Sequence, residues 1–284
     1  MASVDLDAYF DRIGYGGPVA PTLTVLRSLI ERHTQSIPFE SLDVLAGRPV
    51  KLDLDSLAAK LIHRRRGGYC FEQNTLFRAV LDAIGFRTTG LMGLVRRGFP
   101  REAMRPRTHM TLLVDFPQPE EGHATWLADV GFGGLTPPTP LAMVLDLEQA
   151  TTHEPMRFIA FGSDTLLQAQ LNGVWEDIYQ IVPGPQAPVD YEVSNWFTAT
   201  HPASIFRNSV IATRTRHNGR LALFNRVFTR RPTGGVAEKR MLETAGDYRT
   251  VLTEAFNLEV TEADIAAILA CLKNQAPAPF DPFS

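Results

Sequence analysis

The chain is short of most features that would assign a function from composition alone. Only two cysteines, Cys70 and Cys271, occur in 284 residues. They lie far apart with no secretion pattern ahead of them, so a structural disulfide is not expected and both are read as reduced thiols. His33, His63, His123, His153, His201 and His217 show no H-x-x-x-H or similar spacing, which excludes an obvious metal site. The formal charge is only −3, from 28 basic and 31 acidic residues, so no overall field would draw nucleic acid or an anionic membrane. No segment approaches the ~18 uninterrupted apolar residues of a membrane span. The opening stretch MASVDLDAYF carries acids where a secretion signal carries Lys or Arg. A cytoplasmic protein is the resulting expectation, with oligomeric state undetermined.

What is present is the make-up of an ordinary globular protein, 44% apolar and 21% charged, long enough for two or three structural units around a shared interior. The first part reads as helical, with an amphipathic stretch from Asp5 to Ile13 and helical spacing in Leu23, Leu26, Leu29 and Ile30. Asp53 is a candidate cap for a helix striped by Leu54, Leu57, Ala58, Leu61 and Ile62, ended by Gly67-Gly68. The next helix begins at or near Cys70 and stops at Gly85. The period then becomes that of strands over 88–95, 110–116, 125–130, 157–161, 165–171 and 174–182, with Asn172-Gly173 as a hairpin turn. That pattern predicts an antiparallel sheet or barrel. Residues 183–188 read as a Pro-rich linker, beyond which the sheet is expected to continue through a second hairpin at Asn218-Gly219, joining 210–215 to 220–229. Asp247 and Thr261 are candidate caps for two closing helices, and 276–284 reads as an extended tail.

The chemistry concentrates at three places. A thiol acts as nucleophile in its thiolate form, which a helix N-terminus favours, and Arg66-Gly67-Gly68-Tyr69-Cys70 puts Cys70 there. The two glycines allow close backbone approach, and an amide at or near Cys70 could serve as oxyanion donor. A lone cysteine is more often a small buried hydrophobe, but two partners follow it in order. His109 opens the apolar run 110–114 and Asp129 closes the run 126–129, so in an antiparallel pair the two ends lie side by side. The imidazole could then take the thiol proton while the carboxylate fixes its tautomer, in the Cys, His, Asp order of papain-like enzymes. Gly131-Phe132-Gly133-Gly134 comes next, and such a turn can offer amides to a phosphate, although an isolated one is usually a plain turn. Arg64 to Arg66 reads as a solvated helix end, and Arg96, Arg97, Arg101, Arg105 and Arg107 as a local basic patch of open purpose. Cys271 reads as packing on the last helix.

Arg66 to Asn74, Thr108-His109 and Asp129 to Gly134 together resemble the arylamine N-acetyltransferase family. Ile37 to Asp43 and Asn195 to Pro202 are similar to two further segments of that family, with Ser41, Phe197 and Ala199 departing from the residues commoner there. The resemblance implies an α+β fold in a papain-like arrangement: a helical bundle over 1–87 carrying Cys70, an antiparallel β-barrel over 88–188 carrying His109 and Asp129, and an α/β lid over 189–284. It implies acetyl transfer from acetyl-CoA to arylamines or arylhydrazines by a ping-pong route through acetyl-Cys70, with no tightly bound cofactor. It also implies Phe132, Gly133 and Gly134 near CoA and Phe206 in the acceptor pocket. Three alternatives share these residues: an amide synthase acting on a carrier-bound acyl chain, a papain- or transglutaminase-like hydrolase, and a binding protein without activity.

Overall fold

A computed structural model describes residues 4–273; the Pro-rich tail read at 276–284 lies outside them. Asp5 accepts the Ala8 amide and Gly14 takes φ 64° at the other end, which bounds α1 (Leu6–Ile13). Thr22 caps α2 (Leu23–Ser36) in the same way. A two-residue strand β1 (Phe39–Glu40) and the short α3 (Leu42–Leu45) follow. Asp53 caps α4 (Leu54–Leu57), but the helix does not run on regularly to the glycines. It widens into a π-helical turn over Ala58–His63 and ends at Arg64. The wider turn carries Lys60 inward to Asp43 and Glu72, a tertiary demand that local periodicity does not report. Helix α5 (Cys70–Ile84) starts on the cysteine itself and is closed by Gly85 at φ 103°.

Seven strands follow in two blocks: β2 (Arg87–Val95), β3 (His109–Glu120), β4 (His123–Ala128) and β5 (Leu141–Ala142), then β6 (Met156–Phe161), β7 (Asp164–Leu171) and β8 (Val174–Ile181). Their order is β5-β4-β3-β2-β8-β7-β6, all antiparallel. Single bridges from Leu145 to Phe158 and from Gln149 to Met156 bring the chain after β5 against β6, so the sheet nearly closes on itself. Asn172 and Gly173 are both left-handed, at φ 50° and 79°, as the expected type I′ turn requires.

The sheet does not continue beyond the linker. A second, separate sheet has the order β1-β9-β10-β11-β12, from β9 (Ile211–Arg216), β10 (Gly219–Phe224), β11 (Val227–Pro232) and β12 (Glu238–Met241). The strand expected over 220–229 is two strands, because Asn225 takes φ 53° and turns the chain at Asn225-Arg226. Before this sheet lie α6 (Pro188–Thr200) and α7 (Ile205–Asn208), neither of them expected. After it lie α8 (Ala245–Thr250), a π-helical turn over Val251–Ala255, and α9 (Glu262–Lys273). Thr244, not Asp247, is the N-cap of α8; Asp247 sits one turn inside and accepts the Thr244 amide at 2.9 Å. Alternation splits the second sheet's faces. Ile211 and Phe224 join the core that contains Cys70, while Leu221, Leu223 and Phe228 pack on the C-terminal helices. Among the described residues no helix is long and apolar enough to cross a membrane.

Candidate active site

Cys70 begins α5 because the backbone before it is pinned. A Cβ on Gly67 would stand 2.1 Å from the Pro38 carbonyl oxygen, and one on Gly68 2.8 Å from Glu72 Oε2. Both positions therefore need glycine for close approach. Glu72, two residues into the helix from Cys70, accepts the Tyr69 amide at 3.1 Å and pairs with Lys60 Nζ at 2.6 Å. Burial raises its carboxyl above the usual range, and Lys60 only partly offsets this. Lys60 also meets Asp43 at 2.7 Å, and Arg66 meets Glu40 at 3.1 Å and Asp264 of α9 at 3.4 Å. Arg66 is thus buried in an ionic network rather than solvated at a helix end; Arg64 and Arg65 are exposed as expected. Such a network fixes geometry more than it adds stability, because desolvation offsets the attraction.

The β3/β4 register pairs Leu112 with Ala128. One pair further, Asp129 faces Thr111, which puts it one diagonal step from His109 on the same face. His109 Nε2 and Asp129 Oδ2 are 2.7 Å apart, with His109 2% and Asp129 1% exposed. Burial alone would depress His109, but the charge and hydrogen bond of Asp129, with the Cys70 side chain, raise it to about 10. Burial likewise opposes ionisation of Asp129, yet His109, Asn74 and the Gly131 amide hold it below the usual carboxylate value. Both shifts describe an imidazolium–carboxylate pair at neutral pH. With Nε2 engaged, Nδ1 is the ring nitrogen left for Cys70. The Cys70 thiol donates to the Thr108 carbonyl at 3.5 Å, immediately before His109 in the chain. The three side chains separated by 39 and 20 positions in sequence meet in one buried site, Cys70 hydrogen-bonded to His109 and His109 to Asp129.

A family model described as N-acetyltransferase matches residues 22–265. The arylamine N-acetyltransferase of Mycobacterium tuberculosis (strain H37Rv) is 38% identical over 92% of this chain and 91% of its own length. That of Escherichia coli K12 is 39% identical over 91% and 90%. The chain belongs to the arylamine N-acetyltransferase family. The solved Mycobacterium marinum arylamine N-acetyltransferase in complex with CoA superposes with a TM-score of 0.88, at 38% identity over 94% of this chain and 98% of that one.

Several residues of this family member complete the site without having been singled out by sequence. Asn74, one helical turn after Cys70, donates to Asp129 Oδ1 at 3.0 Å and to the Met110 carbonyl at 2.7 Å. It also accepts the Val130 amide at 3.1 Å. The i, i+4 spacing from Cys70 was the available signal, as was the i+3 relation of Glu72 to the cap residue Tyr69. Tyr179 packs its ring 4.6 Å from that of His109, and Phe132 meets His109 edge-on at 5.2 Å. Tyr179 arrives through the β2/β8 pairing, for which no local signal exists.

The glycine turn is partly spent on its own geometry. The Gly131 amide donates to Asp129 Oδ1 at 2.8 Å and the Gly133 amide to Thr136 Oγ1 at 2.8 Å, so neither is simply offered to a phosphate. Gly134 is half-buried in the same turn. Phe206, half-buried, packs edge-on to Tyr69 at 5.5 Å. Two arginines of the basic patch are buried, Arg96 donating to Gln180 and to the carbonyls of residues 101 and 103 and Arg97 pairing with Glu176, while Arg101, paired with Asp177, and Arg107 are exposed and Arg105 half-buried. Neither cysteine is in a disulfide, and Cys271 packs partly buried against the C-terminal core. Among the described residues no group of three His, Cys, Asp or Glu could hold a metal. A cavity of about 760 Å³ lies elsewhere, on the second sheet's basic edge around Arg230, Lys239 and Arg240.

Proposed function

We propose that the protein transfers an acetyl group from acetyl-CoA to an aromatic amine or hydrazine through an acetyl-Cys70 thioester. The observation that carries this reading is the buried His109–Asp129 pair at 2.7 Å beside a cysteine at the first position of a helix. An adjacent imidazolium and a helix N-terminus both favour thiolate over thiol. In the first half-reaction the Cys70 thiolate adds to the acetyl carbonyl, the C–S bond to CoA breaks, and His109 supplies the proton that leaves with CoA thiol. In the second, the amine adds to the Cys70 thioester and His109 takes the amine proton as the thiolate departs. Asp129 holds Nε2 and stabilises the charged ring through both. Exchange of one thioester for another is nearly balanced, so a main task is to keep water from the thioester, and burial of Cys70 at 4% exposed serves it.

In this reading Phe132, Gly133 and Gly134 approach the CoA arm or the acceptor and Phe206 lines the acceptor pocket, which the contacts of Phe132 with His109 and of Phe206 with Tyr69 support. The named activities of the relatives support the acceptor class, and the Salmonella typhimurium relative, 37% identical, carries N-hydroxyarylamine O-acetyltransferase in its name as well. A thiol-bearing co-substrate made inside cells and cysteines outside disulfides fit a cytoplasmic enzyme. Initial rates with acetyl-CoA and an arylamine test the scheme: parallel double-reciprocal lines and no amide with Cys70→Ala are expected. Steady release of acetate at a rate indifferent to the amine would instead establish a hydrolase.

A further inference from the structure

Arg220 belongs to β10 of the second sheet, is 6% exposed, and reaches out of that sheet to the loops of the first. Its Nε and Nη2 hold the Glu154 carboxylate at 3.0 and 2.8 Å, just before β6. Its Nη1 donates to the Thr136 carbonyl at 3.0 Å and to Thr215 Oγ1 at 3.2 Å. Thr136 in turn closes the glycine turn, accepting the Gly133 amide at 2.8 Å and donating to the Gly133 carbonyl at 2.9 Å. Gly133 has φ 98°, a left-handed conformation that needs holding in place, and the residue before it is Phe132, whose ring meets His109. Direct contacts therefore run unbroken from Glu154 through Arg220, Thr136, Gly133 and Phe132 to His109.

We infer that Arg220, fixed by Glu154, is a positioning residue that holds the Gly133–Thr136 turn so that Phe132 covers His109. The inference rests on the proposed role of His109 beside Cys70. A planar guanidinium suits the task because it can grip a carboxylate with two nitrogens while a third reaches a carbonyl; an ammonium offers one point of charge. The Glu154 carboxyl stays ionised within this grip: burial opposes ionisation, but Arg220 outweighs it and lowers the group below its ordinary value. With the grip lost, the turn keeps its hydrogen bonds to Asp129 and Asn74 at one end but loses its anchor at Thr136, Phe132 can shift from its place on the ring, and water reaches the imidazole beside Cys70.

The test is the alkylation rate of Cys70 by iodoacetamide across pH for wild type, Arg220→Gln, Phe132→Leu and the double variant. This reads the Cys70–His109 pair without any acyl donor, so it can succeed even if acetyl-CoA proves not to be the substrate. Arg220→Gln is expected to slow alkylation about ten-fold and to reshape its pH profile, a scale consistent with sub-ångström misplacement at a catalytic pair. Because both residues act through the same ring, the double variant should be no slower than the slower single. Wild-type rate and profile in folded Arg220→Gln, or effects that multiply in the double variant, would overturn the inference. Should Arg220→Gln fail to fold, Glu154→Gln carries the same expectation, and an unchanged profile there overturns it equally.

Discussion

At Asn74 a single amide group ties together helix α5, the start of β3 and the residues following β4. Its removal would leave the Met110 carbonyl and the Val130 amide buried without that partner and Asp129 short of one donor, each a cost of ~1–3 kcal/mol before relaxation. Asn74→Ala should therefore lower the urea-denaturation stability by about 2 kcal/mol and kcat/KM by at least ~10-fold, the second effect reflecting a misplaced Asp129. Unchanged kinetics in a folded variant would show that Asp129 needs no such support. His109 makes a prediction of opposite character, about pH. Its folded value is raised to about 10, above the ordinary ~6.5, so its contribution to stability is fully present below ~6.5 and is lost as pH climbs through about 10. The stability gap between wild type and His109→Asn should accordingly narrow from about pH 6 to about pH 10. An equal gap at both ends would mean that His109 is not held as imidazolium.

Among the elements, the decisive junction is where the end of β4 crosses the start of α5. A Cβ on Gly131 would lie 2.8 Å from Cys70 Cα and 2.9 Å from Asn74 Nδ2, closer than real side chains tolerate. Gly131→Ala should thus push the turn off the helix, cost ~1–3 kcal/mol by overpacking, and slow Cys70 alkylation; a variant as stable and as reactive as wild type would contradict the geometry. This junction was legible in part. The glycine pair before Cys70 and the apolar stripe after it placed the thiol in a first turn, and the ends of two apolar runs placed His109 and Asp129. The π-helical turn at Ala58–His63 was not legible, because it answers to the partners of Lys60. Helix α6 did carry a helical signal, Val189, Val193 and Trp196 at i, i+4 and i+7, but that stripe stands exposed while Tyr191, Asn195 and Thr198 face inward, so pattern and burial are inverted there.

Across the whole molecule, the part least visible in sequence is what joins distant pieces. The second sheet takes as its edge a two-residue strand from the N-terminal region, Phe39 pairing with Thr213 and Glu40 with Ala212, and two residues carry no readable period. The ionic network is equally non-local: Asp264 of α9 reaches Arg66 and Arg48 near the start of the chain, and so ties the last described helix to the backbone leading into Cys70. The motifs themselves needed no such joins to be recognised, which is why the family and the succession of helices, antiparallel sheet and closing helices could be read where these long-range ties could not. All these ties serve one central claim, that Cys70 carries the acetyl group between two substrates. Intact-protein mass after incubation with acetyl-CoA tests it most directly. One added acetyl group is predicted on wild type, absent from Cys70→Ala and discharged by an arylamine; an unmodified wild-type mass, or acetyl that persists in Cys70→Ala, would contradict the account.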